Sequence, residues 1–72
     1  MNLKRIQAFV LVIQNRSFSE AAEILGLTQP AVSSQIKALE AELGTRLLER
    51  YTSIVEPTPA GWYAYEVGLQ LL

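Results

Sequence analysis

The sequence predicts a mainly α-helical domain with a small β wing, on three observations. Apolar residues recur at helical spacing in separate stretches, glycines (Gly26, Gly44) stand where two of those stretches stop, and a β-prone run at 47–56 interrupts the helical pattern before it resumes. At 72 residues the chain suffices for one small domain, and a domain this short commonly leans on a partner chain.

The first helix carries Leu3, Ile6, Phe9, Val10 and Ile13 as one apolar stripe and Ala8, Leu11 and Val12 as a second face. Two apolar faces fit either a wholly internal helix or a contact between subunits, and both readings stay open. Asn15-Arg16-Ser17 breaks this helix. Ser17 with Glu20 has the spacing of a capping box, with Ser19 a competing N-cap, so a short helix follows with Ala21, Ala22 and Leu25 turned inward. The paired alanines permit close approach of another helix, and Gly26 allows a sharp turn at positive φ.

Thr28 is an N-cap for the next helix, and Pro30 is tolerated in its first turn because that amide needs no helical partner. Val32, Ile36, Leu39 and Leu43 keep an inward rhythm to Gly44, while Gln29, Ser33, Ser34 and Lys37 form the outer side. Residues 47–51 and 54–56 flank Thr52-Ser53 and suggest a short two-stranded hairpin. Thr58 followed by Pro59 opens a last helix that is apolar almost all round. Trp62, Tyr65, Leu69 and Leu72 lie along one side of it, with Tyr63, Val67 and Leu71 along another. Glu40 and Glu42, two apart on a helix, do not face each other and read as surface charges.

Composition removes several function classes. Without cysteine there are no disulfides or thiolate metal sites, and without histidine the usual general base and the commonest metal ligand are missing. No nucleophile with a base and no phosphate-binding glycine loop can be assembled, so the expectation is a non-enzyme that needs no cofactor. The start, Met1-Asn2-Leu3-Lys4-Arg5-Ile6, has the early positive charge of a secretion signal, but Gln7, Gln14 and Asn15 cut the apolar run short. No stretch is long enough to cross a bilayer, and a cytoplasmic protein is expected.

A short helix, a glycine turn and a second helix with a small, hydrogen-bonding outer face make a helix-turn-helix shaped for the DNA major groove. Gln can pair with adenine and Ser with several bases or the backbone, which suits Gln29, Ser33 and Ser34 beside Pro30. Lys37 and Arg50 are candidate phosphate contacts, with Arg46 a weaker one. The net charge of −1 runs against this, because nucleic-acid-binding domains are usually basic. The six cations, Lys4, Arg5, Arg16, Lys37, Arg46 and Arg50, all lie in the first 50 residues of the chain. The alternative from another class is a winged helix used as a protein–protein interaction module. Trp62 and the tyrosines, set among leucines at helical spacing, read as packing rather than as a base-stacking platform.

The chain resembles the N-terminal DNA-binding domain of LysR-type transcriptional regulators. The resemblance rests on Phe9, Ser17-Phe18, Ala21-Ala22, Leu25, Gln29-Pro30-Ala31-Val32-Ser33, Gln35-Ile36, Leu39-Glu40, Leu43-Gly44, Leu47, Glu49-Arg50 and Thr58-x-Ala60-Gly61. It implies a winged helix-turn-helix of three helices and a short two-stranded wing over residues 1–58, followed from 59 by the start of a linker helix that pairs with its mate. The recognition helix would run from about 28 to about 43, with the wing at about 50–56 near the DNA backbone. Expected DNA contacts are Thr28, Gln29, Pro30, Ser33, Ser34, Lys37, Arg50, Thr52 and Ser53. The expected homodimer interface is Ala8, Leu11, Val12, Trp62, Tyr65, Leu69 and Leu72.

Full-length members of the family continue into an effector-binding domain absent from this sequence, so the chain looks like a fragment. Small-molecule control would act through that missing domain, and tetramers would belong to the full-length protein. The chain departs from the family pattern at Ser34, where arginine is frequent, at Thr52, Ser53 and Ile54, where basic residues are common, and at Leu48 and Pro57, where phenylalanine and leucine are usual.

Overall fold

A computed structural model of the chain describes residues 2–49 and 54–72. Among them are four α-helices in the order α1 (Leu3–Asn15), α2 (Phe18–Leu25), α3 (Gln29–Leu43) and α4 (Pro59–Leu71). Local chemistry accounts for their starts. The side chains of Asn2, Ser17, Thr28 and Thr58 each accept a hydrogen bond from a first-turn amide, those of Lys4, Glu20, Ala31 and Gly61 respectively. Of the two expected caps for α2, Ser17 is the one used. Its own N–H donates to the Val12 carbonyl, the contact that turns the chain out of α1.

Helices α1, α2 and α3 end alike, on a left-handed residue whose successor donates back to the last turn. Gly26 (φ 68°) and Gly44 (φ 69°) reach this region without a Cβ penalty, but α1 uses Arg16 at φ 51°. A left-handed non-glycine residue costs about 1–2 kcal/mol, so this corner is the locally strained one.

Helix α1 is the internal element, packed against α2, α3 and α4. Its second apolar face is therefore covered by the chain itself. Ala8 and Val12 are buried in the core with Phe9, Ala21, Val32, Ile36, Leu39 and Leu47. This corrects their place in the expected dimer interface, since side chains already enclosed within one chain offer no surface to another. Leu11 is half-buried. Leu3 and Leu43, expected inside, are exposed. Each sits at a helix end, where the apolar rhythm outruns the neighbours that could cover it. Arg5 Nη1 and Glu42 Oε1 approach to 3.7 Å and tie the start of α1 to the end of α3.

Of the expected hairpin, the described residues show a seam. Leu48 and Pro57 form an isolated antiparallel bridge. The Glu49 N–H donates to the Glu56 carbonyl (2.9 Å) and the Thr58 N–H to the Leu47 carbonyl (3.0 Å). No named strand occurs among the described residues, and the Leu47 and Leu48 N–H groups donate to the Glu40 carboxylate rather than across the seam. The tip with Arg50, Thr52 and Ser53 lies outside the described residues.

Helix α4 lies across α1 on its small residues. A Cβ at Gly68 would meet the Ile6 and Val10 Cγ2 atoms at 3.0 and 3.1 Å, and one at Gly61 would strike the Leu47 carbonyl. The bulky side chains point elsewhere: Trp62 and Leu69 are each 45% exposed, and Tyr63, Leu71 and Leu72 are also exposed. Trp62 and Tyr65 meet edge to face with centroids 6.1 Å apart. An open apolar groove of about 270 Å³ separates α4 from α1 and α3, lined by Ile6, Phe9, Leu39, Leu43, Val67 and Leu71 among others. Among the described residues no helix is long and apolar enough to cross a membrane.

Candidate nucleic-acid interface

The paired alanines Ala21 and Ala22, both buried, let α2 approach its neighbours closely, and the turn at Gly26 sends α3 off in a new direction. Val32, Ile36 and Leu39, at 0–1% exposure, lock the inner side of α3 into the core. That leaves a fixed outer side. Thr28, Gln29, Pro30, Ser34 and Lys37 are exposed on it, and Ser33 is half-buried because it stands between the outer face and buried Val32. From Gln29 to Lys37 this surface runs for about 12 Å at 1.5 Å per residue. Its side chains are short at the start, so a partner can approach the backbone, and its cation stands farther along.

Electrostatics at the start of α3 are favourable to an anion. No acidic residue occupies its first turn, and the helix dipole leaves partial positive charge on those amides. Thr28 Oγ1 accepts the Ala31 N–H at 3.2 Å, which leaves its hydroxyl hydrogen to donate outward.

Two residues at this face were passed over as contacts in sequence. Ser19 Oγ donates to Gln29 Oε1 at 3.3 Å and so links α2 to the first residue of α3. Arg16, exposed on the strained corner, lines a groove of about 450 Å³ with Ser17, Phe18, Gln29, Ile54 and Val55. This groove brings together the starts of α2 and α3 and the returning arm of the wing. Ser17 as an N-cap was the available signal, since Arg16 immediately precedes it. Lys37 stands apart from the groove, and Arg46 is exposed with its carbonyl accepting the Thr58 hydroxyl. Among the described residues no cluster of acidic, cysteine or histidine side chains could hold a metal ion.

The connectivity and this seam define a winged helix-turn-helix. Residues 3–62 match the bacterial regulatory helix-turn-helix protein family, lysR, and the chain belongs to that family. It is 43% identical over all 72 residues to the transcriptional regulator BenM of Acinetobacter baylyi, covering 24% of that protein. It is 46% identical over the same span to BudR of Klebsiella aerogenes, covering 50% of it. The chain thus spans between a quarter and a half of these relatives. Among solved structures, the BenM DNA-binding domain in complex with benA site 1 DNA superposes with a TM-score of 0.93 at 42% identity, over 99% of this chain and 80% of that one. The CbnR DNA-binding domain–DNA complex does so at 0.91 and 34%, over 99% and 82%. The fold of this chain is that of the DNA-binding domain of LysR-type regulators.

Proposed function

We propose that this chain binds double-stranded DNA sequence-specifically as a homodimer, one α3 in the major groove of each half-site, within a bacterial transcriptional regulator. Residues 1–58 form the DNA-reading unit and residues from 59 onward begin the dimerisation helix. Gln29, Ser33 and Ser34 meet base edges, with Pro30 permitting close approach. Thr28, Lys37 and the wing residues Arg50, Thr52 and Ser53 hold phosphates, which fix register without reading sequence. Regulation by a small molecule belongs to a C-terminal effector domain outside these residues, tetramers to the full-length protein, and the place of action is the cytoplasm.

The observation that carries this reading is the division of α3. Its apolar side is shut into the core while Gln29, Pro30, Ser34 and Lys37 stand outside on a scaffold similar to domains seen with DNA. In the dimer, Trp62, Tyr65, Leu69 and Leu72 on α4 are the apolar contact, with Leu11 of α1 beside them. An exposed apolar surface of that extent favours a two-fold partner.

Selection of duplexes by this chain from a random-sequence pool tests the proposal. The expected result is an enriched motif in two related halves, lost in Gln29→Glu. No enrichment would overturn it in favour of a protein–protein module, the reading that the net charge of −1 favours.

A further inference from the structure

Glu40 is the buried charged side chain among the described residues, at 7% exposure. It leaves the inner side of α3 next to Leu39, and its Oε2 accepts from the Leu47 N–H at 2.7 Å and the Leu48 N–H at 3.3 Å. Its backbone carbonyl also accepts from Gly44 and Thr45. The same short segment is gripped from the other side. Thr58 Oγ1 donates to the Arg46 carbonyl at 2.7 Å and accepts the Gly61 N–H at 2.9 Å, while the Thr58 N–H donates to the Leu47 carbonyl at 3.0 Å. Residues 46–48 are thus held to the end of α3 by Glu40 and to the start of α4 by Thr58.

We propose that Glu40 and Thr58 are positioning residues, a clamp that sets the direction of α4 relative to α3 and hence the spacing of DNA half-sites the dimer accepts. This rests on the DNA-binding dimer proposed above. Helix α4 meets α1 at Gly68, while Gly61 seats on the Leu47 carbonyl and Pro57, so its start is fixed by the same 46–48 segment that Glu40 and Thr58 hold. A buried carboxylate is costly to separate from its donors, so the polar seam has little slack. Any rotation of α4 swings the second recognition helix. Shifting one half-site by a single base pair turns it by about 35° around the duplex, so a stiff dimer discriminates against it.

The test uses a duplex selected by the wild-type chain, variants of it with the spacer one base pair longer or shorter, and a single half-site duplex. Wild type is expected to lose about tenfold or more on the altered spacers, since two sites that cannot be engaged together forfeit avidity. Glu40→Met, which removes the acceptor at similar length, and Thr58→Val should cut that penalty to about threefold or less while half-site affinity stays within about threefold. Thr58→Ser, which retains both hydroxyl bonds, should restore it. Folded variants that keep the wild-type spacing penalty overturn the clamp and leave the DNA-binding reading standing. Variants that lose half-site and two-site binding equally, or that both fail to fold, show a merely structural role and also overturn it. A wild-type chain that selects no two-part duplex overturns the DNA-binding reading and the clamp together.

Discussion

The outer faces of α3 and α4 are both exposed surfaces on helices that begin with a capping threonine and a proline in the first turn, yet they differ in chemistry. The α3 face presents Gln29, Pro30, Ser34 and Lys37, mostly polar and with one cation, over a tightly buried inner side. The α4 face presents Trp62, Leu69 and Leu72 over an inner side of Gly61, Ala64 and Gly68 beside half-buried Tyr65. The inversion is informative. Where the large residues go inward, the helix is anchored by its own chain and its outside is free to meet a polar, charged ligand. Where they go outward, the helix is seated on small residues and its outside favours another apolar surface. In the function proposed above, the two faces divide the work of reading a half-site and of joining two readers.

Gly61→Ala should be the most damaging change on the α4 side, because its Cβ runs into the Leu47 carbonyl rather than into a movable side chain. A loss of about 3 kcal/mol is expected from such overpacking, read by thermal or urea unfolding of the chain. On the α3 side, Gln29→Glu should separate fold from function. A carboxylate at the first position of the helix is favourable to its dipole, so unfolding stability holds or rises by up to about 1 kcal/mol. Affinity for the selected duplex should fall by about 100-fold, measured by fluorescence anisotropy, since the charge meets phosphates. Equal affinity would place the DNA contact elsewhere. Leu69→Glu should do the converse. With the side chain 45% exposed, the monomer fold tolerates it, while sedimentation equilibrium shows the dimer weakened by about 30-fold. If dimer strength is unchanged, the apolar α4 face serves another partner. Gly68→Ala should have the smallest effect, about 1 kcal/mol, because its Cβ meets only the methyl tips of Ile6 and Val10.

Much of the fold was legible because it is written in local bonds. Ser17, Thr28 and Thr58 cap amides three residues ahead, and Gly26 and Gly44 adopt the left-handed turn their positions required. Val32, Ile36 and Leu39 follow the period of the helix that carries them. The outer side of α3 was legible as the remainder of that period. Elements depending on distant chain were less so. Of the expected hairpin at 47–56, the described residues show one bridge with flanking hydrogen bonds, where the Leu47 and Leu48 amides turn to Glu40, a partner that the local pattern does not reveal. Ser33 was placed outside and is half-buried, since periodicity gives a side chain its direction but not the height of its neighbours.

By itself, then, the sequence determined where helices begin and end, which side of α3 is apolar, and the family to which the chain belongs. These depend on residues within a few positions of one another or on their identity alone. Tertiary structure alone decided that Glu40 is buried rather than a surface charge, since its partners at Leu47 and Leu48 reach it only once the chain has turned back at Gly44. It also decided that Ala8 and Val12 close the core of one chain instead of joining two, and that α4 seats its glycines and displays its aromatics. An all-round apolar helix has no period that marks an inner side. The choice falls to whichever side fits closest, and only the smallest residues let α4 approach Leu47 and α1.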